Sequence, residues 1–299
     1  MTRESTLSRS QPRHLPHSRT FPEVCDDLRR KVVTFLEEQT DDELLQNVQN
    51  RIRVSMGVIE EALKRYGPEQ LSLSYNGGKD CLVLLVLILA CLPAWASSST
   101  CSDSNAVVSS SNSTSNSKIT NVTRPSISSS KPPSSVFRPF PQSFQAVYVV
   151  STRPFPEVET FVAASATHYH LDLARYALPM RLALEAYLGE KTAVKAIFVG
   201  TRRTDPHGKF LTHFDPTDND WPRLMRVHPV IEWHYVEIWA FIRHLGIPFC
   251  SLYNQGFTSL GGMTDTHPNP ALALDIKAMK FRPAYELVDD NEERLGRYR

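Results

Sequence analysis

Cysteine is scarce and unpaired in this chain of 299 residues. Cys25, Cys81, Cys91, Cys101 and Cys250 are odd in number, scattered, and form no C-x-x-C pair. That pattern excludes a disulfide framework and a thiolate zinc site, and makes the reducing cytoplasm the expected location. An excess of one charge is also lacking: 33 Lys and Arg face 32 Asp and Glu, for a formal net charge of +1. Neither nucleic acid nor an acidic membrane surface is therefore an expected partner. The ten histidines show no metal-ligand spacing beside a carboxylate. No apolar run reaches the roughly 20 residues that span a bilayer. The longest, residues 81–96, has 16 and includes Pro93, which predicts a helix buried against a sheet. Residues 1–20, rich in Ser, Arg, His and Pro, lack the apolar stretch of a secretory signal. They are expected to form a disordered tail. No coiled-coil heptad is present, so a monomer is expected.

With 41% hydrophobic residues and 22% charged, the chain can bury a sizeable core. Residues 21–299 read as a single α/β domain with an N-terminal helical extension, 21–67. Val32, Val33 and Leu36, then Leu44, Leu45, Val48, Ile52, Ile59 and Leu63, recur at helical spacing. Thr40 is the expected N-cap between the two helices, with Glu43 at the capping-box position, and Gly67-Pro68 ends the second helix. Strands are expected at 71–75, 145–150, 170–173 and 196–199. Helices are expected at 156–168, 178–188 and 235–245. That alternation predicts a Rossmann-like parallel sheet with helices on both faces. Residues 97–135 interrupt it: 17 of these 39 residues are serine. Such a stretch cannot bury enough surface to offset its ordering entropy. It reads as a disordered insertion in a surface connection.

Chemistry concentrates first at Leu73-Ser74-Tyr75-Asn76-Gly77-Gly78-Lys79-Asp80. A strand runs into two glycines and then a helix. Glycines permit a sharp turn and close backbone approach, and a helix N-terminus is an anion site. Lys79 supplies a point charge, and Asp80 in the first turn is a candidate Mg²⁺ ligand. The loop is neither a Walker A motif nor G-x-G-x-x-G. Further on, Gly200-Thr201-Arg202-Arg203-Thr204-Asp205-Pro206 follows a strand, at the edge where open α/β sheets bind ligands. The paired arginines suit an anion, or else stabilise a charged turn. Trp221 is a flat apolar plate with Asp218 and Arg226 close in sequence.

The loop S-Y-N-G-G-K-D resembles the S-G-G-K-D loop of the PP-loop ATP pyrophosphatases and phosphoadenylyl-sulfate reductases. Its Asn before two glycines is similar to the eukaryotic FAD synthase branch. G-T-R-R-T-D-P, D-N-D-W-P, M-R-V-H-P, Y-N-Q-G-F-T-S-L-G, N-P-A-L, R-P-A-Y and E-R-L-G-R extend the resemblance over residues 71–299, the insertion excepted. The resemblance implies the adenine nucleotide α-hydrolase type of fold and transfer of AMP from ATP to FMN, yielding FAD and pyrophosphate with Mg²⁺. It further implies that Leu73, Ser74, Asn76, Gly77, Gly78, Lys79, Asp80, Val150, Ser151 and Gly200 hold ATP. Thr201, Arg202, Arg203, Asp205, Asp218, Trp221 and Arg226 would hold the flavin nucleotide. Asn76, Asp80, Asp205, Arg294 and Arg297 would act in catalysis, with Asp80 on the metal. Arg294 and Arg297 would share one helical face. The alternative branch, a phosphoadenylyl-sulfate reductase, uses a cysteine in a C-terminal E-C-G-x-H segment, which this sequence lacks.

Overall fold

In the computed structural model the described residues are 19–98, which ends within a helix, and 139–297. The expected tail, apart from Arg19 and Thr20, and nearly all of the serine-rich stretch lie outside them. Two helices come first, α1 (Phe21–Glu37) and α2 (Glu43–Tyr66). The cap of α2 differs from expectation by two residues. Asp42 Oδ1 accepts the amides of Leu44 and Leu45 at 2.8 and 3.3 Å, while Thr40 Oγ1 accepts that of Asp42 at 3.1 Å. A carboxylate at the N-cap meets the helix dipole better than the hydroxyl behind it. Gly67, at φ 71°, closes α2 as expected.

The sheet is assembled from β1 (Leu71–Ser74), β2 (Phe144–Val149), β3 (Leu171–Tyr176), β4 (Ala196–Phe198), β5 (Phe214–Pro216) and β6 (Met225–Val227). Their order is β3-β2-β1-β4-β6-β5. All neighbours are parallel except β5, which runs antiparallel to β6. The connecting helices are α3 (Lys79–Ser98), α4 (Pro156–His168), α5 (Met180–Glu190) and α6 (Tyr235–His244). A small hairpin, β7 (Ala273–Asp275) and β8 (Lys280–Phe281), stands apart from the sheet.

Side chains alternate across the strands and divide the core in two. Leu71, Leu73, Ala146, Ala196 and Phe198 join the large cluster with α1, α2, α3, α4 and α6. Val147 and Ile197 face the smaller cluster with Tyr187 of α5. Between them, Ser72 Oγ shares a hydrogen bond of 2.6 Å with Tyr187 Oη. Helices therefore cover both faces, as the βα alternation predicts. The apolar run explains itself within this arrangement: α3 lies on β1 and is covered by α1, α2 and α6. Residues 82–92 are wholly buried, so a helix long and apolar enough to cross a membrane is here enclosed by protein.

One topological fact locates the site. From β1 the chain crosses to β2 on one side, and β4 pairs with β1 on the other. The connections leaving β1 and β4 diverge at their carboxyl ends and open a crevice there.

Candidate active site

Beyond β1, Tyr75 extends the ladder by donating its amide to Val147 O at 2.9 Å, and its buried hydroxyl donates to Ser165 Oγ at 2.8 Å. The chain then turns through Asn76 and Gly77. Gly77 has φ +72°, and a Cβ there would meet Val162 Cγ2 at 2.8 Å, so glycine is required on both counts. Asn76 Oδ1 accepts the Gly78 amide at 2.9 Å and the Cys81 thiol at 3.0 Å. The acceptor half of that amide holds the loop, and its NH₂ makes no hydrogen bond among the described residues. At the start of α3 the Lys79 amide donates to the buried Tyr253 Oη at 2.8 Å.

Ser74, Asn76, Gly78, Lys79, Asp80, Gly200, Thr201, Asp205, Glu293, Arg294 and Arg297 line a cleft of about 410 Å³. Gly200 ends the β4 side; a Cβ there would lie 2.9 Å from the Cys81 amide, so the two walls touch at their base. Of the residues expected to hold ATP, Leu73 is fully buried in the sheet, where it opposes Ala146 and Phe198. Gly77 shapes the loop from behind. Val150 and Ser151 follow β2 one strand farther along the same edge and do not line the cleft.

The floor of the cleft is a buried ion-pair network. Lys79 Nζ donates to Asp80 Oδ2 at 3.0 Å and to Glu293 Oε1. Arg202 Nε donates to Asp80 Oδ1 at 2.7 Å, and Arg202 Nη2 to Glu293 Oε2. Lys79 and Arg202 are 2% and 0% exposed. Burial alone would push the Asp80 carboxyl up; the charges of Lys79 and Arg202 overcome this and hold it below its ordinary value. Burial likewise works against the Lys79 charge, and Asp80 and Glu293 together raise its pKa.

Three expectations are corrected by this network. Lys79 is not a point charge facing phosphate, because two carboxylates hold its ammonium. Asp80 is not an open metal ligand, because a cation already sits on each oxygen. Arg202 is not a flavin ligand; it is the fully buried partner of both acids. Arg203 also turns away. It grips Glu232, with Nε at 3.0 Å from Oε1, and donates to the Lys209 carbonyl at 2.8 Å, fastening the loop that follows β4.

Asp205 is the contrasting carboxylate. Its Oδ2 accepts the Arg202 amide at 2.8 Å, and its nearest side-chain cation is Arg294 Nη1, 3.7 Å from Oδ1. Burial first, and then the negative charge of Asp80, hold its pKa above the ordinary value. Asp218, Trp221 and Arg226 form a separate group at the β5–β6 end. The Trp221 amide donates to Asp218 O at 2.9 Å, and Arg226 Nη2 lies 3.9 Å from Asp218 Oδ1. They do not line the cleft: the connection holding Asp218 and Trp221 joins Pro216 to Met225, which pairs with Ala196 at the start of β4 and not at its cleft end.

Arg294 and Arg297 do reach the cleft, though not on a helix. Residues 293–296 form a turn, the Arg297 amide bonds to Arg294 O at 2.9 Å, and Arg297 bridges to Thr266. The Arg297 guanidinium lies across Gly261, where any side chain would collide with it. Its nearest carboxylate is Asp265, at 3.5 Å. Glu293 and Tyr253 join the site without a residue-level signal of their own, apart from the place of Glu293 at the head of E-R-L-G-R.

A domain profile described as the phosphoadenosine phosphosulfate reductase domain matches residues 175–268. The probable FAD synthase of Schizosaccharomyces pombe is 34% identical over 275 residues, covering 91% of this chain and 89% of its own length. The flavin adenine dinucleotide synthase of Saccharomyces cerevisiae is 30% identical, over 89% of this chain and 80% of its own. The crystal structure of yeast FAD synthetase in complex with FAD superposes with a TM-score of 0.76 at 25% identity. It covers 94% of this chain and all of that one.

Proposed function

The chain belongs to the FAD synthase family, and on that premise we propose that its cleft transfers AMP from ATP to FMN, giving FAD and pyrophosphate. The observation that carries the reading is the junction of β1, a two-glycine loop and the start of α3, set at the topological switch point opposite Asp205 and Arg294. It is an anion cradle with an acidic and a cationic side chain across from it. An FMN phosphate oxygen attacks the α-phosphorus of ATP. One P–O bond forms, the α–β bridging P–O bond breaks, and pyrophosphate leaves. The nucleophile is already ionised, so no general base is needed. What the protein must supply is alignment of two polyanions and stabilisation of charge on the α-phosphate and the leaving group.

The residues divide that work. Gly77 and Gly78 let the backbone approach the ATP phosphates, and the NH₂ of Asn76 donates to them. Arg294 and Arg297 neutralise charge from above. Trp221, half-buried in the connection between β5 and β6, would offer the flavin ring a flat wall. Mg²⁺ fits this donor set: the Asp205 carboxylate lines the cleft, and no side-chain cation among the described residues lies within hydrogen-bond distance of it. Mg²⁺ in nucleotide enzymes is characteristically held by one or two carboxylates together with substrate phosphates. Asp205, whose nearest side-chain cation is 3.7 Å away, would hold the ion, which when bound would neutralise phosphate charge. The protein acts as a monomer in the cytoplasm.

A reductase reading gains nothing from the described cysteines. Cys25, Cys81, Cys91 and Cys250 are all buried, and burial pushes the Cys81 thiol up to about 12, far from a reactive thiolate. The test is to incubate the purified protein with FMN, ATP and MgCl₂ and separate the flavins by chromatography. FAD is expected only in the complete mixture, and its absence from tubes lacking ATP or containing EDTA. Folded protein that yields no FAD in the complete mixture overturns the assignment.

A further inference from the structure

The segment that carries Arg294 and Arg297 has almost no apolar anchorage. Val288 is 78% exposed and Leu295 51%, and within 288–297 the buried residues are Glu293 and Gly296. A segment with so little apolar burial ordinarily opens locally. This one is held by polar contacts: Asp290 Oδ1 accepts the Tyr235 amide at 2.6 Å, the His267 amide donates to Gly296 O at 2.8 Å, and the densest group gathers on Glu293. One carboxylate oxygen meets Lys79 and the other meets Arg202. The buried Thr258 hydroxyl donates to the Glu293 carbonyl at 2.6 Å, and Asn269 Nδ2 to the Glu292 carbonyl at 2.7 Å. Asn269 Nδ2 also donates to Thr258 Oγ1 at 2.9 Å.

Lys79 opens α3 on one wall of the crevice, and Arg202 follows β4 on the other. A single carboxylate bonded to both is located relative to both walls at once. The next residue, one peptide away, is Arg294, whose guanidinium reaches Asp205. We propose that Glu293 is a positioning residue for adenylyl transfer, clamped between Lys79 and Arg202 so that Arg294 and Arg297 stand over the reacting phosphates. The inference rests on the adenylyl-transfer reading above. A buried ion pair adds little stability over an apolar pair of equal volume. Its contribution here is direction, since each oxygen has one partner and the side chain cannot rotate without breaking both bonds.

The experiment compares kcat and KM for the unmodified protein, Glu293→Gln, Arg294→Ala and the double variant, with trypsin digestion in the absence of substrates as a second readout. Glutamine keeps the shape but turns an NH₂ toward a buried cation. Glu293→Gln is expected to lower kcat by on the order of 10²-fold, with KM for ATP moving far less. It should speed tryptic cleavage after Arg294. In the Arg294→Ala background it should cost little further, because the two changes disable one device. Should Glu293→Gln not fold, Thr258→Val removes the bond to the Glu293 carbonyl and leaves the charges intact. A kcat loss there that vanishes with Arg294→Ala supports the proposal equally. Normal turnover by a folded variant, or losses that multiply independently, overturns the positioning role alone. No FAD from the unmodified protein overturns the adenylyl-transfer reading, and the catalytic role falls with it.

Discussion

The start of α3 and its apolar stretch are both withdrawn from water, by opposite means. From residue 82 to 92 every side chain is apolar or a thiol and is enclosed by α1, α2, α6 and the sheet. At its first two residues, Lys79 is buried and Asp80 largely covered by charge, against Arg202 and Glu293. The apolar stretch is held by area and shape, which many side chains can supply. The charged end is held by reciprocity, so each member is expensive to lose because its partner stays behind. Function follows the second kind of burial. It is the end that faces the cleft, and its two partners, Arg202 and Glu293, come from parts of the chain far from it in sequence.

Substitutions can break this comparison. The largest effect is expected from Arg202→Met. It leaves Asp80 Oδ1 and Glu293 Oε2 without a cation, and the loss in denaturant unfolding should be about 3–5 kcal/mol. In the apolar stretch Leu85→Ala should cost roughly 2–5 kcal/mol by cavity formation. Leu85→Met should cost under about 1.5 kcal/mol, a tolerance that no single change at the charged end should match. If Arg202→Met proves as mild as Leu85→Met, the contrast is wrong.

Asp205→Asn sharpens the comparison in the other direction. A carboxyl whose folded-state pKa is raised favours the fold at low pH, and that contribution is lost as pH rises through the raised value. Ionised Asp205 therefore opposes folding at pH 7. Asparagine can still accept the Arg202 amide, so Asp205→Asn should melt higher than the unmodified protein at pH 7. The advantage should disappear below the ordinary carboxylate value near 4, while adenylyl transfer falls. Asp80 has the opposite sign. Its depressed pKa adds stability above the ordinary value and loses it as pH falls through the depressed one.

What could be read from the sequence was local. Residues 156–168 are a helix in both readings, and β2 differs by one residue at each end, because period and flanking signals lie within the element. β5 and β6, at three residues each, are too short to show alternation; their pairing is decided by the sheet. Site residues divide the same way. The glycine loop and the cleft positions of Asp205, Arg294 and Arg297 follow from motif and topology. The destination of Lys79 does not. Its partner Glu293 is 214 residues away, and nothing near Lys79 announces that its charge is already taken.

One consequence of α3 concerns where this protein can change length. Its 20 residues carry the chain roughly 30 Å from the cleft to the opposite edge of the sheet. There Trp95 and Pro139 border the same cavity as residues 67–70, which lead into β1. The serine-rich stretch is thus rooted behind the catalytic edge, with both roots close together. Closing a longer loop adds only a slowly growing entropic penalty. A fluorescent reporter spliced in at this seam is therefore expected to leave the cleft residues in place, with FAD formation as the check.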